Sequence, residues 1–256
     1  MNDPLAMFRL DGKVSVVVGG GGGLGRAVAF GLAGVGASVA VVDIEAERAQ
    51  QTALGCIEQG HKAIALGVDI TSCPQVIAMV EEVNTRLGPI EVLVNAAGIT
   101  RRYPAAEFPE EVFDEILAVN LKGVFLCCQV VGRHMISRRR GKIVNFASIA
   151  GQIGLSGTIA YLCSKGGVVQ LTRGLAVEWA QYNIRVNAIA PSWFETNMGG
   201  MLRQEPQYQT HAMRRVPLGR MGQPEELIGA VLYLASDASS MVTGHVLAVD
   251  GGTLAA

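Results

Sequence analysis

The sequence predicts an α/β fold in which one parallel sheet is covered by helices on both faces. Short β-branched runs alternate with longer segments of helical periodicity along the whole chain. The runs are almost continuously hydrophobic, as is typical of strands buried on both faces. Strand–helix alternation with short connections favours right-handed crossovers and a doubly wound sheet. With 256 residues, half of them hydrophobic, residues 1–256 are expected to form a single domain around one sheet.

The individual elements follow from these runs in chain order. We expect about seven strands, at residues 14–18, 38–43, 63–68, 92–95, 142–146, 185–189 and 245–249. We expect helices at residues 24–35, 46–59, 74–87, 110–137, 158–182 and 224–235. Ligands of such sheets bind at the carboxyl ends of the strands, so the residues that follow each strand are the first candidates for a site.

One segment lacks this regularity. Residues 192–216 carry Trp193 and Phe194 with little periodicity. A long irregular stretch after a strand predicts a lid that covers a substrate. A surface insertion is the alternative interpretation.

Charge and composition argue against several classes of partner. The formal net charge is −1, and the triplet at positions 138–140 is the only basic cluster. Three arginines at a predicted helix end favour a solvated terminus over a nucleic-acid surface, which would need a broader basic face. We therefore expect no nucleic-acid partner.

Cysteine and histidine usage indicates neither a disulfide framework nor a metal site. The five cysteines show no CxxC spacing, and the four histidines form no metal-binding pair. The N-terminus lacks a signal-peptide pattern, and no uninterrupted apolar stretch approaches the ~18 residues of a membrane helix. These features predict a cytoplasmic protein with no metal and no membrane partner.

A glycine-rich loop follows the first predicted strand. Gly19 to Gly23 are five consecutive glycines, followed by Leu24 and Gly25 at the start of a helix. Glycine permits close approach of the backbone to a pyrophosphate, and the helix N-terminus offers free N–H groups and a partial positive charge. A flexible linker is the alternative, but the strand–loop–helix context favours a Rossmann-like dinucleotide site.

Asp43 ends the second predicted strand. A carboxylate there can accept hydrogen bonds from an adenosine ribose and repels a 2′-phosphate. The nearest arginine, Arg48, lies one helical turn further on. The sequence therefore predicts NAD as the cofactor in preference to NADP. Asp43 is also suited to be the N-cap of the following helix.

Tyr161 and Lys165 have a spacing that places both side chains on one face of a helix. A free phenol has a pKa of about 10, too high for efficient acid–base catalysis near neutral pH. We expect the Lys165 ammonium to lower the pKa of Tyr161, which then exchanges a proton with an alcohol or a carbonyl.

Two polar residues accompany this pair. Ser148 follows the fifth predicted strand, where its hydroxyl can hydrogen-bond a reacting oxygen, or serve only as a turn residue. Asn120 lies within a predicted helix, which its low propensity disfavours. We expect Asn120 to hold a water that links Lys165 to solvent.

Together these motifs resemble the short-chain dehydrogenase/reductase family from Asp11 to Gly252. The resemblance implies that Asn120, Ser148, Tyr161 and Lys165 are catalytic, and that Asp69 meets the adenine. The cofactor-binding residues that the motifs and the resemblance predict are Gly19, Gly23, Leu24, Gly25, Asp43, Asp69, Ile70, Asn95, Ala96, Gly98, Tyr161, Lys165, Pro191, Phe194 and Thr196.

The chain departs from the family pattern in its glycine-rich loop. Val18 replaces a usual threonine, and Gly20, Gly21 and Gly22 replace small hydroxylated residues. Loss of the side-chain hydrogen bonds that brace this turn predicts a looser loop and weaker cofactor binding. Ser192 stands in place of glycine after Pro191, at the hinge of the predicted lid.

The substrate class is left with alternatives. Residues 98–102 and 107–109 are similar to gluconate 5-dehydrogenases and 2-deoxy-gluconate 3-dehydrogenases. Arg101 or Arg102 can pair with a substrate carboxylate, or both can be solvated loop residues. If Trp193 and Phe194 cover an apolar chain instead, the enzyme is a 3-oxoacyl-thioester reductase. A third hypothesis is that the protein is a non-catalytic NAD sensor. The resemblance also implies a homotetramer, with the helices at 110–137 and 158–182 between subunits.

Overall fold

The computed structural model describes residues 4–196 and 213–256. Its strands form one seven-stranded sheet in the order β3-β2-β1-β4-β5-β6-β7, and every neighbouring pair is parallel. The strands are β1 (Val14–Val18), β2 (Ser38–Asp43), β3 (Ala63–Gly67), β4 (Ile90–Asn95), β5 (Gly141–Phe146), β6 (Ile184–Pro191) and β7 (Val246–Val249). The predicted doubly wound sheet is confirmed.

Helices connect these strands. They are α1 (Gly23–Gly34), α2 (Ala46–Glu58), α3 (Cys73–Arg86), α4 (Glu110–Leu117), α5 (Val124–Arg138), α6 (Ile159–Trp179) and α7 (Ile228–Ala235). Short 3₁₀ turns that the hydrophobic pattern did not predict include Pro4–Phe8 and Ile149–Gly151.

The core lies on both faces of the sheet. Buried residues of α3, α5 and α6 pack on one face together with Val14, Val16 and Val18 of β1. Buried residues of α1, α2 and α7 pack on the other face together with Val17. Every residue of β1 and of β5 is buried, which explains why these runs lack the alternation of a half-exposed strand.

The predicted helix at 110–137 is not a continuous α-helix, because its middle is π-helical. Ala118–Gly123 is π-helical and joins α4 to α5. A π-helical turn carries one extra residue and often marks a functional position. The turn contains Asn120, so the structure explains how a residue of low helix propensity is accommodated there.

The same helical stretch bears on membrane association. Glu110–Arg138 contains an 18-residue window with a mean hydropathy of 1.5, of which 56% is buried inside the protein. By length and composition it is the one helix among the described residues that is apolar enough to cross a bilayer. This window is not the uninterrupted apolar stretch that the sequence was expected to lack, because averaged hydropathy tolerates isolated polar and charged residues. Its burial against the sheet is typical of a core helix.

The strand order places a crevice between β1 and β4. The chain moves outward from β1 to β3 on one side and then crosses to β4 on the other. At such a switch point the loops after the two strands diverge and leave room for a ligand. Val18 and Asn95 are register partners, so the loops after β1 and β4 begin at the same level.

Candidate active site

The glycine-rich loop after β1 packs tightly against the loop after β4. Gly19 has φ +78°, and a Cβ there would lie 2.6 Å from the backbone nitrogen of Ala97. A Cβ at Gly25 would collide with the carbonyl oxygen of Gly19. The N-cap of α1 is Gly22, which provides no side-chain hydrogen bond. The N-cap residue itself thus contributes no side-chain cap, and a helix N-terminus in this position fits a dinucleotide pyrophosphate.

Asp43 lies beside this loop, at the end of β2. Its Oδ2 accepts a hydrogen bond from Gly21 N at 3.0 Å, and its Oδ1 accepts one from Glu45 N at 3.2 Å. The interpretation of Asp43 as the helix N-cap is wrong, because α2 begins at Ala46 and its N-cap residue is Glu45. The carboxylate is held at the strand end, as a ribose-binding residue requires.

The other predicted cofactor residues near β3 and β4 have differing surroundings. Asp69 Oδ1 accepts bonds from Thr71 N and Thr71 Oγ1, at 2.9 and 2.7 Å. Ile70 is buried, and a Cβ at Gly123 would lie 2.8 Å from its Cδ1. The Ile70 side chain thus belongs to the core, so only its backbone can serve a ligand.

The residues after β4 hold the crevice in shape. Ala96 N donates to Val18 O at 2.9 Å, which extends the pairing of β1 and β4 by one residue. The Asn95 side chain points into the protein, where Nδ2 donates to Asn145 Oδ1 at 2.9 Å. Asn95 therefore ties β4 to β5 through its side chain. Gly98 leaves space for the side chains of Asn120 and Lys165.

Ser148 and Tyr161 meet where the turn Ile149–Gly151 packs on α6. A Cβ at Gly151 would lie 2.8 Å from Lys165 O, so glycine permits this contact. Ser148 Oγ accepts a hydrogen bond from Ala150 N at 3.1 Å. Ser148 is therefore also a turn residue, which was the alternative interpretation of this serine. Burial raises the pKa of Tyr161, and the hydrogen bond to Ser148 opposes that rise.

The direction of the Tyr161 shift differs from the expected one. Lys165 Nζ lies 5.7 Å from the centroid of the Tyr161 ring. Burial outweighs the hydrogen bond to Ser148, which leaves Tyr161 as a neutral phenol. A neutral phenol is suited to donate a proton to a carbonyl oxygen.

Lys165 is buried and has a neutral partner. Its Nζ donates to the carbonyl oxygen of Phe146 at 2.7 Å. Burial lowers the pKa of Lys165 to about 8. An ammonium carries three N–H donors, so donors remain beyond the one that Phe146 uses. They fit the hydroxyl groups of a ribose.

Asn120 joins three segments around this lysine. Its Oδ1 accepts from Ile99 N at 2.8 Å, and its Nδ2 donates to Ile99 O at 2.8 Å and to Ser164 Oγ at 3.1 Å. A Cβ at Gly98 would lie 3.3 Å from Asn120 Oδ1 and 3.4 Å from Lys165 Nζ, so both groups border the same point. The amide is engaged by protein groups, and Ser164 is a partner that the spacing did not predict.

The start of the predicted lid is anchored to the sheet. Pro191 ends β6 and pairs with Val249, and Glu195 N donates to Gly222 O at 2.9 Å. Thr196 lies over the glycine-rich loop, since a Cβ at Gly23 would be 3.5 Å from its Cβ. Residues 197–212 of the predicted lid lie outside the described residues.

The two aromatic residues of this segment are buried. Phe194 packs against Gly222 in the core, and Trp193 packs with Ile149 in a small apolar cluster. They fill protein interior, which weakens the interpretation that they cover an apolar substrate chain. The cluster does border Ser148 through its neighbour Ile149.

The arginines after β4 are exposed on a tethered loop. Tyr103 N donates to Gly157 O at 3.1 Å, and Gly157 precedes Tyr161 by four residues. Arg101 Nη1 donates to Thr100 O at 2.9 Å. The structure thus brings the loop that carries Arg101 and Arg102 next to the start of α6, the helix that carries Tyr161.

Comparisons with known proteins agree with this geometry. A family profile described as Enoyl-(Acyl carrier protein) reductase matches residues 19–253. The chain is 43% identical to the 5-keto-D-gluconate 5-reductase of Escherichia coli over 100% of both chains. It is 41% identical to the 3-oxoacyl-[acyl-carrier-protein] reductase of Thermotoga maritima over 96% of this chain and 99% of that protein.

A solved structure is similarly close. A gluconate 5-dehydrogenase from Burkholderia cenocepacia, in complex with NADP and tartrate, superposes with a TM-score of 0.96. It is 39% identical and covers 99% of this chain and 100% of that chain. The likeness extends over the whole sheet and the crevice described above.

Proposed function

This chain belongs to the short-chain dehydrogenase/reductase family, and we propose that it interconverts a secondary alcohol and a ketone on a sugar acid or related polyol, with NAD as its preferred cofactor. One observation carries the chemical part of the proposal: Ser148, Tyr161 and Lys165 meet, and the loop after β4 links them to the glycine-rich loop. Ala97 of the loop after β4 packs on Gly19, and Gly98 of the same loop borders Lys165. The family makes the chain a nicotinamide-dependent oxidoreductase, and a bound nicotinamide supplies or accepts the hydride.

The protein residues handle the oxygen and its proton. The Ser148 hydroxyl hydrogen-bonds the reacting oxygen and shares its developing charge. The Tyr161 phenol, held neutral by burial, gives its proton to the carbonyl oxygen during reduction and becomes a phenolate. In the oxidation direction the phenolate form takes the proton back from the alcohol. Lys165 holds the ribose with its remaining donors, and Asn120 keeps the loop after β4 against α6.

The proposed NAD preference rests on the fixed position of Asp43. Both of its oxygens accept backbone N–H groups, so the carboxylate stays at the end of β2 and would repel a 2′-phosphate. Arg48 Nε lies 3.0 Å from Glu45 Oε2, so this guanidinium is already paired. NADP, which the Burkholderia cenocepacia enzyme holds, is the competitor to test against.

The proposed substrate class rests on the relatives and on the exposed arginines. Two of the relatives carry gluconate, a sugar acid, in their names. The tartrate bound to the Burkholderia cenocepacia enzyme is a dicarboxylate. Arg101 and Arg102 can bind such a carboxylate bidentately. The burial of Trp193 and Phe194 disfavours the thioester alternative. Oxoacyl thioesters are still tested as substrates, because the Thermotoga maritima relative is named as a 3-oxoacyl reductase.

We expect turnover of sugar acids to depend on one of the two arginines. Nicotinamide reduction is measured with gluconate-type acids, the matching polyols without a carboxylate, and secondary alcohols, and oxoacyl thioesters are run in reverse. Arg101→Gln or Arg102→Gln should raise KM for the acid about tenfold or more, because a charged hydrogen bond is lost. KM for the matching polyol should not change.

Arg86→Gln serves as the control, because Arg86 is exposed and pairs with Glu82 on α3. Activity confined to oxoacyl thioesters would overturn the sugar-acid proposal while keeping the Tyr161 mechanism. Nucleotide binding without turnover of any of these substrates would favour the alternative of a non-catalytic NAD sensor.

We also propose a homotetramer built through the outer faces of α5 and α6. An apolar groove there is lined by Leu117 of α4, Leu121 of the π-helical turn, Phe125 of α5 and Leu171 of α6. Phe125 is 38% exposed in the single chain. An apolar groove of this kind is typical of a protein interface.

Replacing Phe125 with glutamate should reduce the mass of the assembly, because a buried unpaired charge disfavours the interface. Sedimentation measures the mass. Leu54→Glu on α2 is the matched control, since Leu54 is 46% exposed on the opposite face of the sheet and should leave the mass unchanged. An unchanged mass for Phe125→Glu would contradict this interface.

A further inference from the structure

The glycine-rich loop is held in place although it lacks hydroxylated side chains. Gly19 N and Gly20 N both donate to Val42 O, at 2.8 and 3.0 Å. Gly21 N continues this series and donates to the side chain of Asp43 at 3.0 Å. The loop therefore follows the end of β2 through three successive N–H groups.

Close packing explains why two of these glycines are needed. A Cβ at Gly20 would lie 2.8 Å from Val41 Cγ1, and a Cβ at Gly21 would lie 2.7 Å from Asp43 Oδ2. Among the described residues nothing lies within 4 Å of the Cβ position at Gly22, whose φ of −164° any residue adopts. Gly20 and Gly21 are thus pressed against β2, while Gly22 is open.

The Asp43 carboxylate joins two segments of chain. One oxygen accepts Gly21 N from the loop, and the other accepts Glu45 N from the turn before α2. An ionised carboxylate offers about four lone-pair sites, so two remain for ribose hydroxyl groups. Bracing the loop and binding a ribose are therefore compatible at one residue.

We propose that Asp43 is a positioning residue that supplies the brace missing from the glycine-rich loop, in addition to selecting between cofactors. The selection rests on the proposed function, whereas the brace is independent of it. Removal of the acceptor should loosen the loop and weaken binding of NAD and NADP alike. Removal of the charge alone should mainly change the ratio between them.

Three proteins separate the brace from the charge: wild type, Asp43→Asn and Asp43→Ala. Asparagine keeps one acceptor oxygen without the charge, and alanine keeps neither. Hydrogen exchange of the Gly21 amide is measured without nucleotide, with the Val41 amide as an internal standard for the folded sheet. Loss of one net hydrogen bond should speed Gly21 exchange about three- to tenfold in Asp43→Ala. Asp43→Asn should lie between the other two.

Nucleotide affinities are measured on the same proteins. In Asp43→Ala, Kd for NAD should rise. Kd for NADP should fall less than the loss of charge repulsion alone would cause, because the looser loop offsets part of that gain in affinity. Asp43→Asn should bind NADP better than Asp43→Ala does, because its acceptor rescues the loop. KM for the nucleotide should change in both variants more than kcat does.

Two glycine variants test the brace without altering Asp43. Gly21→Ala brings a Cβ against the carboxylate and should speed exchange in the loop, whereas Gly22→Ala should not, in nucleotide-free protein. Unchanged Gly21 exchange in Asp43→Ala would overturn the brace, whatever happens to the cofactor ratio. Faster exchange with an unchanged NAD-to-NADP ratio in Asp43→Asn would uphold the brace and contradict the proposed NAD selectivity.

Discussion

Replacing Tyr161 with phenylalanine is expected to lower turnover by about a hundredfold to ten thousandfold, the usual contribution of general acid–base catalysis. The phenol oxygen is the only atom lost, so the aromatic ring and its packing on α6 are kept. Affinity for the oxidised and reduced nucleotide, measured by fluorescence, should stay close to that of wild type. The loss should therefore fall on kcat.

Tyr233→Phe is the matched control. It removes the same hydroxyl from a half-buried tyrosine on α7, on the other face of the sheet from α6. Its turnover should equal that of wild type. Wild-type turnover in Tyr161→Phe would refute the mechanism, and equal losses in both variants would indicate a general effect of the substitution.

The strands and the Tyr161–Lys165 pair could be predicted from sequence because both depend on short-range patterns. Continuous apolar runs report strands buried on both faces, as in β1 and β5. A separation of four residues in a helix fixes which side chains share a face. These inferences require no knowledge of distant parts of the chain.

The partners of the site residues could not be predicted, because they come from distant segments. Asn120 bonds the backbone of Ile99, 21 residues away, and Lys165 bonds the carbonyl of Phe146, 19 residues away. The brace from Asp43 to Gly21 likewise crosses 22 residues. The expectation of an unbraced loop considered only the side chains within the loop.

The sign of the Tyr161 shift was missed for a related reason. The sequence identifies a nearby ammonium, but the extent of burial follows from the packing of the turn after β5 against α6. Burial disfavours the charged phenolate, and it also weakens the charge of the lysine expected to stabilise it. Both effects act in the same direction, toward a neutral phenol.

Lys165→Met is expected to change both activity and the pH dependence of stability. The pKa of Lys165 is about 8 in the folded protein, against about 10.4 for an unperturbed lysine. Between these values the unfolded chain binds more protons, so this lysine makes the folded state more stable as pH rises. Its buried charge costs the folded state about 3 kcal/mol below pH ~8, and the cost is relieved toward pH ~10.

Buried cysteines change the pH dependence of stability in the opposite direction, and their contribution has to cancel when wild type and Lys165→Met are compared. Burial raises the pKa of Cys128 to about 12, so unfolding releases a thiol proton above the ordinary cysteine pKa and stability falls with pH. Cys127 behaves in the same way. These contributions are the same in wild type and variant, so the difference between the two proteins isolates Lys165.

Urea unfolding of both proteins, at one protein concentration and without nucleotide, measures this difference at several pH values. Relative to Lys165→Met, wild type should gain about 3 kcal/mol between pH ~7 and pH ~10. Lys62→Met removes an exposed lysine and should show neither this gain nor a loss of turnover. A difference independent of pH would show that Lys165 titrates normally. A folded Lys165→Met protein with little turnover would indicate that the protein keeps this buried charge for its chemistry, at a cost in stability.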